Sequence, residues 1–334
     1  MYKKIFWLTA FAFNGLIILA FWWQSSGDTL QSGSLGLLTA LGRLSGLLAA
    51  YFILLQFFLM GRTPLLERAF GLDKLSRLHH LSGQWGIIFL LAHPLLLTFS
   101  YSRILGISFG QQISDFLFRY EEVGAAVLAL VIFLVVVSSS IYLARKNLPY
   151  EWWYFIHLAA YLAVFLSFSH QMELGTDLNG NIIFYGYWLI LYIVVFVSQA
   201  LFRFLRPLYF FYQHRFYVKR VVRENYNTVS LYIGGRNLNA FPVQAGQFMI
   251  LRFLTKKLWW QAHPFSLSLA PHGQELRVTI KGLGDFTNQV ANVAAGAQII
   301  IDGPYGVFTE LKDAAGKILL IAGGIGITPI RSLA

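Results

Sequence analysis

The chain has 334 residues, 57% of them hydrophobic and only 12% charged, with a formal net charge of +11 and no cysteine. A soluble domain carries roughly 25% charged residues, so most of this chain belongs in lipid, and its length predicts at least two domains. The missing cysteines exclude disulfides, cysteine-ligated iron–sulfur clusters, covalently attached haem and thiol chemistry within it. The positive charge would suggest nucleic acid in a soluble chain; here it matches the Lys and Arg excess of cytoplasmic loops, and no nucleic-acid role is expected.

Apolar runs lie at about 5–23, 36–60, 80–99, 122–143, 150–170 and 183–202. Each approaches the roughly 20 residues that a helix needs to cross the hydrocarbon. The first follows Lys3 and Lys4 but is too long for a signal peptide, and no small-residue cleavage site follows Trp22-Trp23, so it reads as a true span. Loops 61–79 and 144–149 carry Arg62, Arg68, Lys74, Arg77, Arg145 and Lys146, whereas 24–36 and 171–183 carry no Lys or Arg. The positive-inside rule then predicts a multi-pass protein of the plasma membrane (the inner membrane of a bacterium) with both termini in the cytoplasm.

Spans three and five each carry two histidines. His79 and His93 are 14 residues apart, and His157 and His170 are 13 apart, rises of about 21 Å and about 19.5 Å on a helix. Both spans run outward, so His79 and His157 share an inner level and His93 and His170 an outer one. Intramembrane histidines are costly and default to function. Two matched levels predict two b-type haems, each iron held by two axial imidazoles; zinc would need a compact cluster that ligands so far apart cannot supply. His80 adjoins His79 and competes with it as inner ligand, although a 14-residue step returns within about 40° of one helix face and a 13-residue step misses by about 140°. The 13-residue pair on span five requires a bent or locally unwound helix, or ligands that approach from different angles. Pro94 is a candidate kink in span three. Gly83, Gly86, Ala159 and Ala160, near the inner ligands, suit either a porphyrin face or plain helix packing.

Arg43 lies inside span two toward the outer side, where a lone guanidinium needs an anionic partner or water. A haem propionate or the acceptor pocket is the functional reading, and snorkelling to the interface the structural one. Arg77 suits an inner propionate or an ordinary loop charge. Trp22, Trp23, Trp152 and Trp153 stand at span ends and read as interfacial anchors.

Beyond Arg203 and Arg206 the pattern changes to short β-rich runs at 216–222, 228–233, 247–253, 276–282 and 298–301, separated by Gly, Pro and Asn, with Asn225 and Asn227 as turn formers. This predicts a small antiparallel β-barrel. Within it stands His263-Pro264-Phe265-Ser266, where Phe can lie against a flat ring and Ser can bond its polar edge. Lys281 then precedes Gly282-Leu283-Gly284-Asp285-Phe286-Thr287, a glycine turn into a short helix with a cation beside it, which suits phosphate. In this order the motifs predict a flavin dinucleotide such as FAD, with its ring at the first and its pyrophosphate at the second. Finally Ile318-Leu319-Leu320-Ile321 reads as a buried parallel strand, and Gly323-Gly324-Ile325-Gly326-Ile327-Thr328-Pro329 as the turn into a helix of a nucleotide-binding α/β domain. The sequence ends five residues after Pro329, too soon for a doubly wound sheet, so the remainder of a nicotinamide domain is expected to be missing or supplied elsewhere.

These residues, together with Asp302-Gly303-Pro304-Tyr305-Gly306, resemble the ferric reductase/NADPH oxidase superfamily over essentially the whole length. The resemblance implies a six-helix haem domain joined to a ferredoxin-reductase-like module. In such proteins hydride passes from NAD(P)H to FAD, and single electrons then pass through inner and outer haems to an external small-molecule acceptor, ferric iron or oxygen. By resemblance His263, Pro264, Phe265 and Ser266 contact the flavin ring, Lys281 and Thr287 its phosphates, Gly323, Gly324, Gly326, Thr328 and Pro329 the nicotinamide dinucleotide, and Arg43 the outer haem region. Animal members that make superoxide carry a second His one turn beyond the outer ligand of span three; here Leu97 stands there, which points away from a dedicated oxygen-reducing role. The expected layout is a membrane di-haem domain over 1–206, a flavin domain over 207–313 and the start of a nicotinamide domain over 314–334. Two other readings remain open: a haem subunit reduced by a separate flavin reductase and serving a periplasmic partner, and a non-catalytic haem carrier or sensor.

Overall fold

The computed structural model describes residues 2–141, 146–309 and 319–334; Arg145 and Ile318 from the reading above lie outside them. The chain divides into two compact units, residues 1–58 with 77–196, and residues 59–76 with 197–334.

Six helices are long and apolar enough to cross a membrane. They are α1 (Tyr2–Gln31), α2 (Gly33–Met60), α4 (Leu72–Leu105), α6 (Glu121–Ser140), α7 (Tyr150–Leu174) and α9 (Ile182–Ser198), the last continued by a π-helical turn (Gln199–Leu205) and α10 (Arg206–His214). Each contains one of the predicted apolar runs, or its described part. Short helices stand between them: α3 (Pro64–Phe70), α5 (Phe109–Arg119) and α8 (Thr176–Asn179). Helix α5 starts at a capping box, in which Ser108 accepts from the Gln111 N–H and Gln111 accepts from the Ser108 N–H, so two otherwise orphaned donors are satisfied. Pro94 sits inside α4 without ending it, and α7 is an unbroken α-helix through both of its histidines.

Apolar side chains such as Phe13, Ile88 and Phe165 face outward, as suits a lipid surface. The interior of the first unit is built from Ile18, Leu47, Tyr51, Leu54, Phe184 and Trp188. Trp22 departs from its expected anchoring role. It is buried and its indole N–H donates to the Ala40 carbonyl at 2.9 Å, because that carbonyl of α2 lies within reach of the only polar atom on the ring. Trp23 and Trp152 are exposed.

The second unit contains two three-stranded antiparallel sheets. The strands are β1 (Tyr217–Asn225), β2 (Thr228–Gly234), β3 (Phe248–Phe253), β4 (His263–Ser266), β5 (Leu276–Lys281) and β6 (Ile299–Tyr305), ordered β1-β2-β5 and β4-β3-β6. Isolated bridges Tyr217↔Gln298 and Leu267↔Val278 link segments of the two sheets. The expected barrel is thus found as two bridged sheets, and a closed ring is not among the described pairings. Asn225 and Asn227 make the predicted turn, with the Asn227 N–H donating to the Asn225 side chain at 2.9 Å. Alternation in β3 turns Met249, Leu251 and Phe253 inward, where they meet Phe216, Leu231, Ile233, Val278 and Ile301 in one core.

The strand expected over Ile318–Ile321 is not found in its described part. Residues 319–321 have no strand structure, and Leu319 and Ile321 are more than 80% exposed. A parallel strand needs a ladder neighbour, and among the described residues none pairs with them. The following glycine segment does form a 3-10 turn (Gly324–Gly326) leading into α11's successor in the chain, a last helix at Ile327–Leu333; α11 itself spans Asp285–Val290.

The loop between the second and third spans belongs to this second unit. The buried Glu67 carboxylate of α3 accepts the Gly306 N–H at 2.7 Å. Arg62 pairs with Asp302, which also accepts from the Tyr305 hydroxyl, and Arg203 donates to the Met60 carbonyl at 3.2 Å. Burial pushes the Glu67 carboxyl above the ordinary carboxylate range, despite the Gly306 N–H and nearby Arg206 and Arg68.

Candidate functional site

The four histidines meet in the two expected pairs. His79 on α4 faces His157 on α7 with ring centroids 6.0 Å apart and planes at 60°, and His93 faces His170 at 6.1 Å and 70°. His80 points elsewhere: it is exposed and lies 3.5 Å from the Gln84 amide. The rings can be tested against a haem iron. Two imidazole nitrogens each about 2 Å from one metal, with each ring centroid about 1.1 Å farther out, require centroids roughly 6 Å apart, and both pairs meet that. Among the described residues no three His, Cys, Asp or Glu gather as a compact metal site, so the pairs suit a group that brings its own equatorial ligands.

The surroundings of the two levels differ. At the outer level His93 Nδ1 lies 2.9 Å from the Gly42 carbonyl of α2. A carbonyl only accepts, so Nδ1 carries the proton and Nε2 keeps its lone pair. Among the described residues His170 Nδ1 is buried without a hydrogen-bond partner. At the inner level the Trp153 ring stacks on His157 at 5.1 Å and 30°, and its indole N–H donates to Ser140 Oγ at 3.1 Å. Sequence reasoning gave Trp153 an anchoring role only; its place four residues before His157, one helical turn away, was the available signal.

Arg43 has the anionic partner that its burial demands, and the protein supplies it. Its Nε donates to Asp177 Oδ2 at 2.9 Å and its Nη2 to Oδ1 at 2.5 Å. Asp177, 5% exposed, also accepts from the Ser25 hydroxyl. Snorkelling is thus not what this guanidinium does, and Asp177 is a residue that sequence reasoning missed. Gly83 and Gly86 serve helix packing: a Cβ on Gly83 would stand 3.2 Å from the Gln56 amide, and one on Gly86 3.4 Å from Phe52 Cβ.

In the second unit the His263–Ser266 motif is strand β4 itself, paired with β3 so that Phe248 opposes Ser266 and Leu251 opposes His263. Pro264 is exposed and Phe265 half-buried, packed on the core. The Phe286 ring of α11 lies 4.0 Å from the His263 ring and 6.3 Å from that of Phe265, stacked on the latter. The first motif and the glycine turn therefore adjoin. Lys281 is exposed at the end of β5 and, among the described residues, makes no ion pair. Thr287 folds back on its own turn, accepting from the N–H groups of Leu283 at 2.9 Å and Gly284 at 3.1 Å and donating to the Gly284 carbonyl. A free cation beside a pinned glycine turn fits a phosphate, and the adjoining aromatic strand fits a flat ring.

The Gly323, Gly324 and Gly326 segment is exposed, whereas Thr328 is buried and donates to the Ile325 carbonyl at 3.0 Å. Pro329 lies in the first turn of the last helix, where its missing N–H costs nothing. Ser332 of that helix accepts from the Gly246 N–H at 2.8 Å.

Comparison with known proteins adds to this geometry. A family model described as a ferric reductase like transmembrane component matches residues 45–168, and one described as an FAD-binding domain matches residues 213–309. The electron transfer subunit of a probable dihydroorotate dehydrogenase B (NAD(+)) of Methanothermobacter thermautotrophicus is 35% identical over 119 residues, 35% of this chain and 41% of that protein. NADPH oxidase 1 of Mus musculus is 26% identical over 152 residues, 44% of this chain and 24% of that protein. The chain thus spans less than half the length of either. Among solved structures, a ferredoxin reductase in carbazole 1,9a-dioxygenase matches 36% of each chain at 22% identity with a TM-score of 0.32, too distant to place any residue.

Proposed function

The chain belongs to the ferric reductase/NADPH oxidase superfamily, and from that premise we propose that it is a transmembrane oxidoreductase passing electrons from NAD(P)H, through FAD and two b-type haems, to an extracytoplasmic small-molecule acceptor, a ferric chelate or oxygen. The observation that carries this reading is the pair of facing histidine rings at each of two levels, 6.0 and 6.1 Å apart. In this reading residues 1–206 form the di-haem domain, 207–313 the flavin domain and 314–334 the start of the nicotinamide domain, with both termini in the cytoplasm of a plasma-membrane protein.

Each residue has a task that its surroundings support. His79 with His157, and His93 with His170, would hold the haems through their imidazoles. Arg43, held by both Asp177 oxygens, stands at the outer level, where it would contact the outer haem region. His263, Pro264, Phe265 and Ser266 present an aromatic, hydrogen-bonding edge to the flavin ring; Lys281 and the Thr287 turn receive its phosphates. Gly323, Gly324, Gly326, Thr328 and Pro329 offer the close backbone approach that a nicotinamide dinucleotide needs. The bound groups supply the redox chemistry itself, splitting a two-electron donor into single-electron transfers, while the protein sets distance and field.

The test is reduction of a membrane-impermeant ferric chelate outside sealed vesicles whose bound flavin is reduced from inside, photochemically or by NADH or NADPH, for the wild type and for His93→Ala. The expected result is reduction by the wild type and none by the variant. Reduction that survives loss of His93, or a protein reduced only by an added flavoprotein, would overturn the reading, the latter in favour of a partner-reduced haem subunit.

A further inference from the structure

One turn of α2, Gly42-Arg43-Leu44-Ser45-Gly46, touches His93 of the outer pair and, through Arg43, the segment that follows His170. The Gly42 carbonyl accepts a hydrogen bond from His93 Nδ1–H. Gly46, four residues on and on the same helix face, lies flat under the same ring: a Cβ there would stand 2.7 Å from His93 Nδ1 and 2.8 Å from Cε1. No real Cβ approaches so closely, and an imidazole held by a backbone hydrogen bond has little freedom to retreat. Arg43, between them, grips Asp177 through two hydrogen bonds, and Asp177 follows His170 by seven residues.

We propose that this turn of α2 is the positioning element of the outer ligands: Gly46 admits the His93 ring against the helix backbone, Gly42 fixes its tautomer with Nε2 free, and Arg43 ties down the segment that follows His170. The proposal rests on the reading of His93 and His170 as haem ligands. A ligand imidazole hydrogen-bonded through its second nitrogen is oriented and made more basic, so this turn would set both the orientation and the donor strength of His93. Gly46 is a positioning residue and touches no substrate.

The experiment compares the full chain, purified in detergent with its haems, as wild type, Gly46→Ala, His93→Ala and Gly124→Ala. Gly124 lies on α6 with nothing within 4 Å of its Cβ position, so its variant reports the effect of any glycine-to-alanine change in a span. Haem per chain and the low-spin EPR signals are read. His93→Ala, by removing the outer haem, identifies the outer signal. Gly46→Ala is expected to displace that signal, or lose that haem, with the inner signal unchanged and Gly124→Ala like wild type. Two haems with both signals as in the wild type would overturn the proposal. Where Gly46→Ala does not accumulate, ENDOR of the wild type decides: a hydrogen-bonded exchangeable proton on one outer ligand's Nδ1 supports the proposal, and its absence refutes it. A wild type without haem, or a His93→Ala variant that keeps both, defeats the haem reading instead, so the two failures are told apart.

Discussion

The two units of this molecule hold their candidate site residues in opposite ways. In the membrane unit, chemistry and stability use the same side chains. His93, Arg43 and Asp177 are surrounded by apolar helices, so each needs a partner: Gly42 for His93, and Arg43 and Asp177 for each other. In the sheet unit the two jobs separate, except at Phe265, which packs on the core. Met249, Leu251, Phe253, Leu231 and Ile301 make the core, while Lys281, Pro264 and the Gly284 turn lie outside it. A low-dielectric surrounding penalises unmatched polar groups, so a site in the membrane becomes part of the fold, whereas a site on a sheet edge can remain outside the fold's energetics.

Substitutions can break this contrast. The largest effect is expected at Arg43→Ala, which leaves the 5% exposed Asp177 carboxylate unpaired; removing one partner of a buried ion pair costs about 3–5 kcal/mol. Thermal unfolding in detergent should fall steeply, and the restoring variant Arg43→Ala/Asp177→Asn should recover much of the loss. Next is Glu67→Ala, which deprives the Gly306 N–H of its acceptor at about 1–3 kcal/mol. Glu67→Gln keeps an acceptor without the buried charge and should unfold within about 1 kcal/mol of wild type. Lys281→Ala should weaken flavin binding by about tenfold, the loss of one charge-assisted hydrogen bond, with stability unchanged within about 0.5 kcal/mol. Flavin retention on dilution reads the first and the melting curve the second. A large drop in melting temperature for Lys281→Ala would erase the contrast between the units.

The smallest effect sharpens it. Glu275 is held at a pKa of about 2 by hydrogen bonds from Arg220 and Lys219. A carboxyl with a depressed folded pKa contributes stability above its unfolded pKa, and loses it as pH falls toward the folded value. The gap between wild type and Glu275→Gln should be full at neutral pH and close between about pH 4.5 and 2. Its size should be about 1 kcal/mol or less, because the pair is bathed in solvent. Melting curves across that range check it.

What the sequence disclosed follows the same contrast. The six spans were legible because apolar length is a direct requirement of the bilayer. The four histidines were legible because polar residues stand out in apolar runs, and helix rotation favoured His79 over His80 without deciding between them; in the structure His79 faces His157, and His80 is exposed. Their partners were hidden. Asp177 lies 134 residues from Arg43 and Glu67 lies 239 residues from Gly306, and no periodicity connects such positions. Gly42 and Gly46 carried a legible small-residue spacing, but nothing in the sequence says which side chain lands on it. In the sheet unit β4 was missed as a strand because Pro264 interrupts any alternation. Residues 319–321 were read as a strand because a short apolar run carries no signal of its pairing partner.

The central claim is that the two facing histidine pairs hold two haems in a chain that also binds flavin. Optical spectra of the detergent-purified protein, oxidised and dithionite-reduced, with haem and flavin quantified per chain, test it most directly. Two b-type haems and one FAD are predicted, falling to one haem when either pair loses a histidine. No haem after haem-replete expression would contradict the account at its base.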